Sequence, residues 1–416
     1  MKSVSAHIVD ARRIENRLLE LSSSRSFFAL YTSRGYPNSH KKFELVFGWG
    51  AKEHFDSQAL ERGGFEQGWK FGYLSYELRH KFEQLDSGNP ALGDWPDAHF
   101  FTPEIAGTLA LDGTLTVHAD SEEKAAEVLI ALQQSPQSRE GSTTLEFKPV
   151  ERREQYLEAV KSLQKHIQRG DIYEINYCTA FVADVQQLDE PLLFQKMVSA
   201  TDAPFSGYLK LGAHSLLCSS PERYISKTGS RILTQPIKGT NRRSAQDNHL
   251  AQQALVDSEK ERAENVMIVD LVRNDLSHVA AKGSVEVSEL FGTYAFKNVN
   301  QLISTVQADL REGVSNWEIV STSFPMGSMT GAPKIRAMQL AERYEKTARE
   351  IYSGAIGYIA PNGDFDLNVV IRSIAVNHAI KKATVHVGGA ITILSDPEAE
   401  YEECLLKAES LLQSAR

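Results

Sequence analysis

Near its C-terminus the chain carries three β-rich runs, IYSGAIGYIAP, NGDFDLNVVIRSIAVN and KATVHVGGAITIL, separated by turn-forming residues. Runs rich in Val, Ile, Tyr and Phe suit a pleated, packed surface. They lie outside any regular alternation of strand and helix, which argues for an α+β fold with large antiparallel sheets over a doubly wound parallel one.

The N-terminal part repeats the signal in FELVFGWG (43–50), WKFGYLSYEL (69–78) and GTLALDGTLTVHA (107–119). The last alternates apolar and polar residues about Asp112-Gly113, a strong hairpin dipeptide. A helix is predicted after an N-cap at Ser121. The polar, aperiodic QSPQSREGSTT (134–144) that follows marks the one plausible boundary. It divides a β-rich subregion, 1–135, packed into the same folded unit, from a catalytic region, 145–416. Tyr156, Val160, Leu163 and Ile167 then recur at helical spacing before Gly170. Strands are predicted at 177–184, 206–219 and 231–234, a long helix at 245–273, and a last helix from Asp396.

With 416 residues and 42% hydrophobic content, the chain can bury a sizeable core. The 45 basic and 54 acidic residues include no Lys/Arg block, so nucleic acid is not an expected partner. No stretch approaches the roughly 20 apolar residues of a membrane span, and the first residues have no apolar core of a secretion signal. A cytoplasmic enzyme is expected. Cys178, Cys218 and Cys404 are too few and too scattered for a disulfide framework or a zinc site.

Two helical carboxylate pairs carry the first chemical signal. Glu261 and Glu264 share a helix face after Ser258, although Ser258-x-x-Glu261 also matches a capping box. In the last helix Asp396 and Pro397 form the start, and Glu400, Glu403 and Lys407 align. Each alone is an ordinary solvated face. Brought together, their hard oxygens would repel one another and would suit Mg²⁺. Zinc suits them less, because no His or Cys stands beside them at ligand spacing.

The strings SSPERY (219–224), QPIKGTNRR (235–243), AENVMIVDLVRNDL (263–276) and FPMGSMTGAPKIRAM (324–338), with GAIGYI, VVIRS and DPEAEYEE, give these pairs a context. Over about residues 150–412 the chain resembles the chorismate-utilising enzymes, the family of anthranilate, aminodeoxychorismate and isochorismate synthases. The resemblance implies two large antiparallel sheets packed as a sandwich and flanked by helices. It implies Mg²⁺ bound directly by Glu264 and Glu403, with Glu261 and Glu400 acting through water, and gripping the ring carboxylate of chorismate. It implies that Tyr352 and Arg372 hold the enolpyruvyl carboxylate, Arg372 through its fixed donor fork, and that Lys407 and Ser328 contact substrate. A Gly388-Gly389 turn would offer backbone N–H groups to a carboxylate. Ala390 stands where glycine is common, which a backbone contact tolerates only at negative φ.

Chorismate chemistry divides into amination at C2 with pyruvate loss, amination at C4, and hydroxylation at C2. Within Pro236–Thr240, C4-aminating members carry lysine where C2-aminating members carry alanine, so Lys238 favours C4 amination, with Thr240 beside it in the motif as a further catalytic candidate. An amine attacks as its neutral form, which desolvation or a nearby cation favours. Hydroxylating members place a basic lysine where this chain has Glu174, a carboxylate able to hold or deprotonate ammonium. Gln301 stands where the family often has histidine and cannot shuttle a proton near neutral pH, which favours keeping the enolpyruvyl group. No glutamine amidotransferase domain is recognisable in the sequence, so ammonia is expected from a separate glutamine amidotransferase subunit. C2 amination, or a subunit that binds chorismate without turnover, are the alternatives.

Overall fold

The computed structural model describes every residue except 37–39, 84, 86, 137–140, 142, 245 and 416. Two large antiparallel sheets dominate it. The first runs in the order Lys2–His7, Thr114–Ala119, Ile105–Ala110, Phe43–Trp49, Phe27–Thr32, Phe205–Leu211, His214–Ser220, Ser373–Asn377, Lys382–Ile391, Glu174–Asp184 and Gly331–Ala332, with Lys148–Pro149 also paired to Glu174–Asp184. The second runs Ile237–Arg242, Val299–Asp309, Arg231–Gln235, Arg223–Thr228, Phe365–Val369, Ala355–Ile359, Lys70–Leu74, Ala98–Thr102 and Glu53–Phe55, with Glu286–Ala295 beside Val299–Asp309. Early and late segments therefore share ladders, as where Phe27–Thr32 pairs with Phe205–Leu211.

Strand alternation builds the layers. In Phe27–Thr32, Phe28 and Leu30 enter the core beneath the helices, whereas Ala29 and Tyr31 enter the core between the sheets. There Tyr31 stacks on Phe71 at 6.2 Å and donates its hydroxyl to Gly357 O at 2.8 Å. The sheets approach so closely that a Cβ on Gly207 would lie 2.8 Å from Ile356 Cδ1. Helices Ala11–Ser22, Glu122–Leu132, Arg153–Gln168, Glu190–Thr201, Lys334–Tyr344 and Pro397–Ser414 cover the outer face of the first sheet. Glu259–Ser277 and Asn316–Ser323 cover that of the second. The result is the α+β sandwich flanked by helices that the sequence predicts.

Some local expectations change. The run at 206–219 is a hairpin of Phe205–Leu211 and His214–Ser220, turned at Gly212 with φ +66. The helix predicted over 245–273 is two helices, Asn248–Asp257 and Glu259–Ser277, and residue 245 lies outside the described residues. Ser258 breaks them: its backbone is extended and its Oγ accepts from Glu261 N at 3.4 Å, a cap that competes with helix continuation. The polar stretch 134–144 lies partly outside the described residues. Among the described residues no helix is long and apolar enough to cross a membrane.

Two crossings between the sheets carry ionisable side chains into the interior. The chain leaves the first sheet at Ser220 and enters the second at Arg223, passing through Pro221 and Glu222. It returns between Val369 and Ser373, with Arg372 at φ +53. The crossings are tied together: Val369 N donates to Glu222 O and Ser219 N to Arg372 O, both at 3.1 Å.

Candidate functional site

Glu222, at the first crossing, is fully enclosed; burial pushes its pKa up to about 7, with the Ser328 hydrogen bond and Lys238 opposing. Ser328 Oγ donates to Glu222 Oε1 at 2.6 Å, so the predicted substrate hydroxyl is held by this carboxylate. Lys238, on Ile237–Arg242, donates to Glu174 Oε1 at 2.5 Å. Glu174 begins the strand Glu174–Asp184, opposite Ala332; it is 1% exposed, and its Oε2 has no partner among the described residues.

Burial alone would lower the pKa of Lys238, but Glu174, Glu264 and Glu222 together hold it above its ordinary value. This corrects the expectation of an amine poised towards neutrality. The three carboxylates come from separate segments, and together they stabilise the ammonium.

The helix Glu259–Ser277 supplies Glu261 and Glu264. Burial raises the pKa of Glu264 to about 7, against the pull of Lys238; Lys260 stands 3.9 Å away. Burial also raises that of Glu261, and Glu403 adds to it. Glu261 lies over Gly239, where a Cβ would come within 2.9 Å of Oε2, and the φ of +98 there favours glycine.

On Pro397–Ser414, Glu400 Oε1 accepts from Ser395 Oγ at 2.7 Å, and burial raises its pKa. Glu403 pairs with Lys407 at 2.7 Å, which outweighs burial and holds its pKa below the ordinary value. Lys407 also donates to Gly388 O at 2.9 Å.

The charge of Glu403 reaches Glu261, and Lys260 acts on Glu264, Glu400 and Glu403, so the two helices do present their acids to a shared region. Among the described residues, however, no three His, Cys, Asp or Glu side chains gather closely enough to hold one ion. Glu403 is drawn to Lys407 and Glu400 to Ser395. Three of the four acids are raised by burial, a donor set of hard oxygens whose chemistry fits a divalent cation.

Arg372 lies at the second crossing. Burial lowers its pKa, with Tyr352 and Glu403 opposing, so it connects Tyr352 to the acids of the last helix. Tyr352 is buried and stacks on His386 at 5.5 Å. Gly388 and Gly389 do not form a turn. They lie inside Lys382–Ile391, opposite Cys178 and Tyr177, and neither they nor Ala390 has positive φ. Their extended backbone cannot form a nest, which needs consecutive residues in turn conformations. Thr240 is exposed and opposite Gln301, which is buried with Oε1 unpartnered among the described residues.

An open groove of about 860 Å³ runs along another side of Glu259–Ser277, lined by Tyr173, Ala263, Val266, Met267, Leu290 and Phe291. No predicted site residue lines it, although Tyr173 and Ala263 directly precede Glu174 and Glu264. Sequence reasoning finds no role for Glu222 within SSPERY; the available signal was an acid placed directly after proline between two strands. Arg349 and Glu345, buried behind the site, carried no periodic or motif signal.

Residues 39–413 match the family model described as chorismate binding enzyme. The chain is 35% identical over 358 residues to aminodeoxychorismate synthase component 1 of Escherichia coli, covering 83% of this chain and 77% of that protein. It is 36% identical over 365 residues to anthranilate synthase component 1 of Thermus thermophilus, covering 82% and 76%. Several relatives named aminodeoxychorismate synthase, 39–42% identical, are longer, and this chain spans between 29% and 36% of their length. The crystal structure of anthranilate synthase component I from Streptococcus pneumoniae superposes with a TM-score of 0.77 at 22% identity, over 99% of this chain and 92% of that one, a likeness of fold. By a match that runs over nearly all of its length, the chain belongs to the chorismate binding enzyme family.

Proposed function

We propose that the chain acts as an aminodeoxychorismate synthase component I, aminating chorismate at C4 with ammonia to give 4-amino-4-deoxychorismate for para-aminobenzoate and folate synthesis. The observation that carries this reading is Lys238, a buried amine 2.5 Å from Glu174 and within the field of Glu222 and Glu264.

In this scheme Glu174 takes a proton from Lys238, and the free amine attacks C2 of chorismate. Both ring double bonds shift, C1=C2 to C6=C1 and C5=C6 to C4=C5, and the C4–O bond breaks. Glu222, raised to about 7, donates the proton with which the hydroxyl leaves as water. Ammonia then attacks C4, both double bonds shift back, and the bond from C2 to Lys238 breaks with its electron pair returning to the amine. Glu174 returns its proton to the released Lys238 amine, and the new ammonium group sheds its proton to Glu222, which restores both carboxyl groups to their starting states.

Tyr352 and Arg372 hold the enolpyruvyl carboxylate, and Lys407 and Ser328 orient the ring. Glu264 and Glu403 would hold Mg²⁺ directly, with Glu261 and Glu400 acting through water. Bound there, the ion would grip the ring carboxylate and offset its charge. Ammonia would come from a separate glutamine amidotransferase subunit, or from free ammonium in its absence, in the cytoplasm.

Similarity to the Thermus thermophilus anthranilate synthase favours a second reading, C2 amination with pyruvate release. Incubation with chorismate, Mg²⁺ and ammonium separates them. Accumulation of the 4-amino enolpyruvyl product is expected, and fluorescent anthranilate formed without an added lyase overturns the assignment.

A further inference from the structure

We infer that Arg349 is a positioning residue, whose one guanidinium sets the spacing between the turn carrying Ser328, the strand carrying Glu174 and the segment carrying Tyr352. The inference rests on the proposed role of those three residues.

Arg349 is 2% exposed. Its Nη1 donates to Met329 O at 2.7 Å, beside Ser328, and its Nη2 to Asn176 O at 2.7 Å, on the same strand face as Glu174. Nη1 also reaches Ser353 Oγ at 3.4 Å, next to Tyr352. Glu345 closes the arrangement. It accepts from Nη2 at 2.7 Å and from Nε at 3.0 and 3.2 Å, and Glu345 Oε1 accepts from Cys178 N at 3.0 Å on that same strand. The guanidinium also stacks over the Tyr76 ring at 4.6 Å.

Three segments that a β-ladder joins only in part are thus pinned to a planar group with fixed donor directions. A lysine ammonium, a single point on a flexible stem, cannot replace that fork. The site residues keep their relative positions only while the fork does.

The test compares Arg349→Lys with Arg34→Lys, which alters another buried pair, Arg34 with Glu15 at 2.5 Å. Steady-state turnover of chorismate and calorimetric chorismate affinity are measured on folded protein. Loss of folded material lowers apparent kcat and leaves KM and Kd unchanged, whereas misplaced binding groups raise both. For Arg349→Lys we expect raised KM and Kd and kcat/KM lower by on the order of 100-fold, with KM and Kd for Arg34→Lys near wild type. If Arg349→Lys does not fold, Glu345→Gln, which keeps the shape and weakens the clamp, is expected to raise Kd to a smaller extent. Unchanged KM and Kd in the folded variant overturn the inference. Wild-type protein that binds chorismate without forming the 4-amino product sinks the proposed function alone, because the Kd comparison still decides the role of Arg349. Wild-type protein that binds no chorismate sinks both.

Discussion

Lys238 and Arg349 are both buried cations paired with glutamate, yet the two pairs are built differently. Arg349 spends its fork on Glu345 and two main-chain carbonyls, and Glu345 in turn accepts from the backbone. Lys238 faces one hydrogen-bonded carboxylate and the fields of two more, and Glu174 keeps an oxygen with no partner among the described residues. A buried polar network with every member satisfied rigidifies its surroundings, whereas an unsatisfied one costs stability unless a ligand completes it. The contrast separates a frame from a site.

Lys238→Ala gives the sharpest test of that separation: ammonium-dependent turnover should fall by about 10³-fold or more, with little change in melting temperature. Removal of a frame residue such as Arg349 should instead lower the melting temperature and raise KM and Kd together. Glu264→Ala should abolish Mg²⁺-dependent turnover, and wild-type-like turnover in a Mg²⁺ titration would remove this residue from the metal site.

Glu222→Gln should reduce turnover by roughly 10²-fold or more and change the pH profile. With a pKa raised to about 7, Glu222 is protonated on the acid side of neutrality, so wild-type turnover should decline as pH rises through 7. Stability runs the same way. The folded pKa lies above the ordinary 4.5, so the contribution of Glu222 is fully present below about 4.5 and is lost as pH rises through about 7. It amounts to on the order of 3 kcal/mol at most, and Glu222→Gln should flatten that slope in a series of thermal melts.

The smallest expected effect is at Thr240. Exposed on its strand, it should tolerate Thr240→Val within about 0.5 kcal/mol of stability. Lost turnover at unchanged stability would move it from the frame side of the comparison to the site.

The large antiparallel sheets were legible because β-rich runs such as 43–50 and the alternation about the Asp112-Gly113 hairpin announce strands, while their packing as a sandwich came only from the resemblance. Lys238 and the two glutamate pairs were legible through the strings around them, since their spacing alone describes only polar faces. The direction of the Lys238 shift was not, because it depends on Glu222 and Glu264, which approach only through tertiary packing. Gly388 and Gly389 misled for a related reason. Paired glycines suggest a turn, but here a Cβ on Gly388 would come within 2.7 Å of Cys178 Sγ, so the pair serves close packing within a sheet.

Because Glu222 and Arg372 sit on two of the links that carry the chain from one sheet to the other, the proposed site behaves as a gauge of sandwich thickness. Anything that pries the layers apart far away, such as a side chain at Gly207 pressing on Ile356, should be felt as a changed distance between Glu222 and Arg372, the proposed proton donor and carboxylate clamp. Selection on the apolar interior of this protein is then, in part, selection on its chemistry.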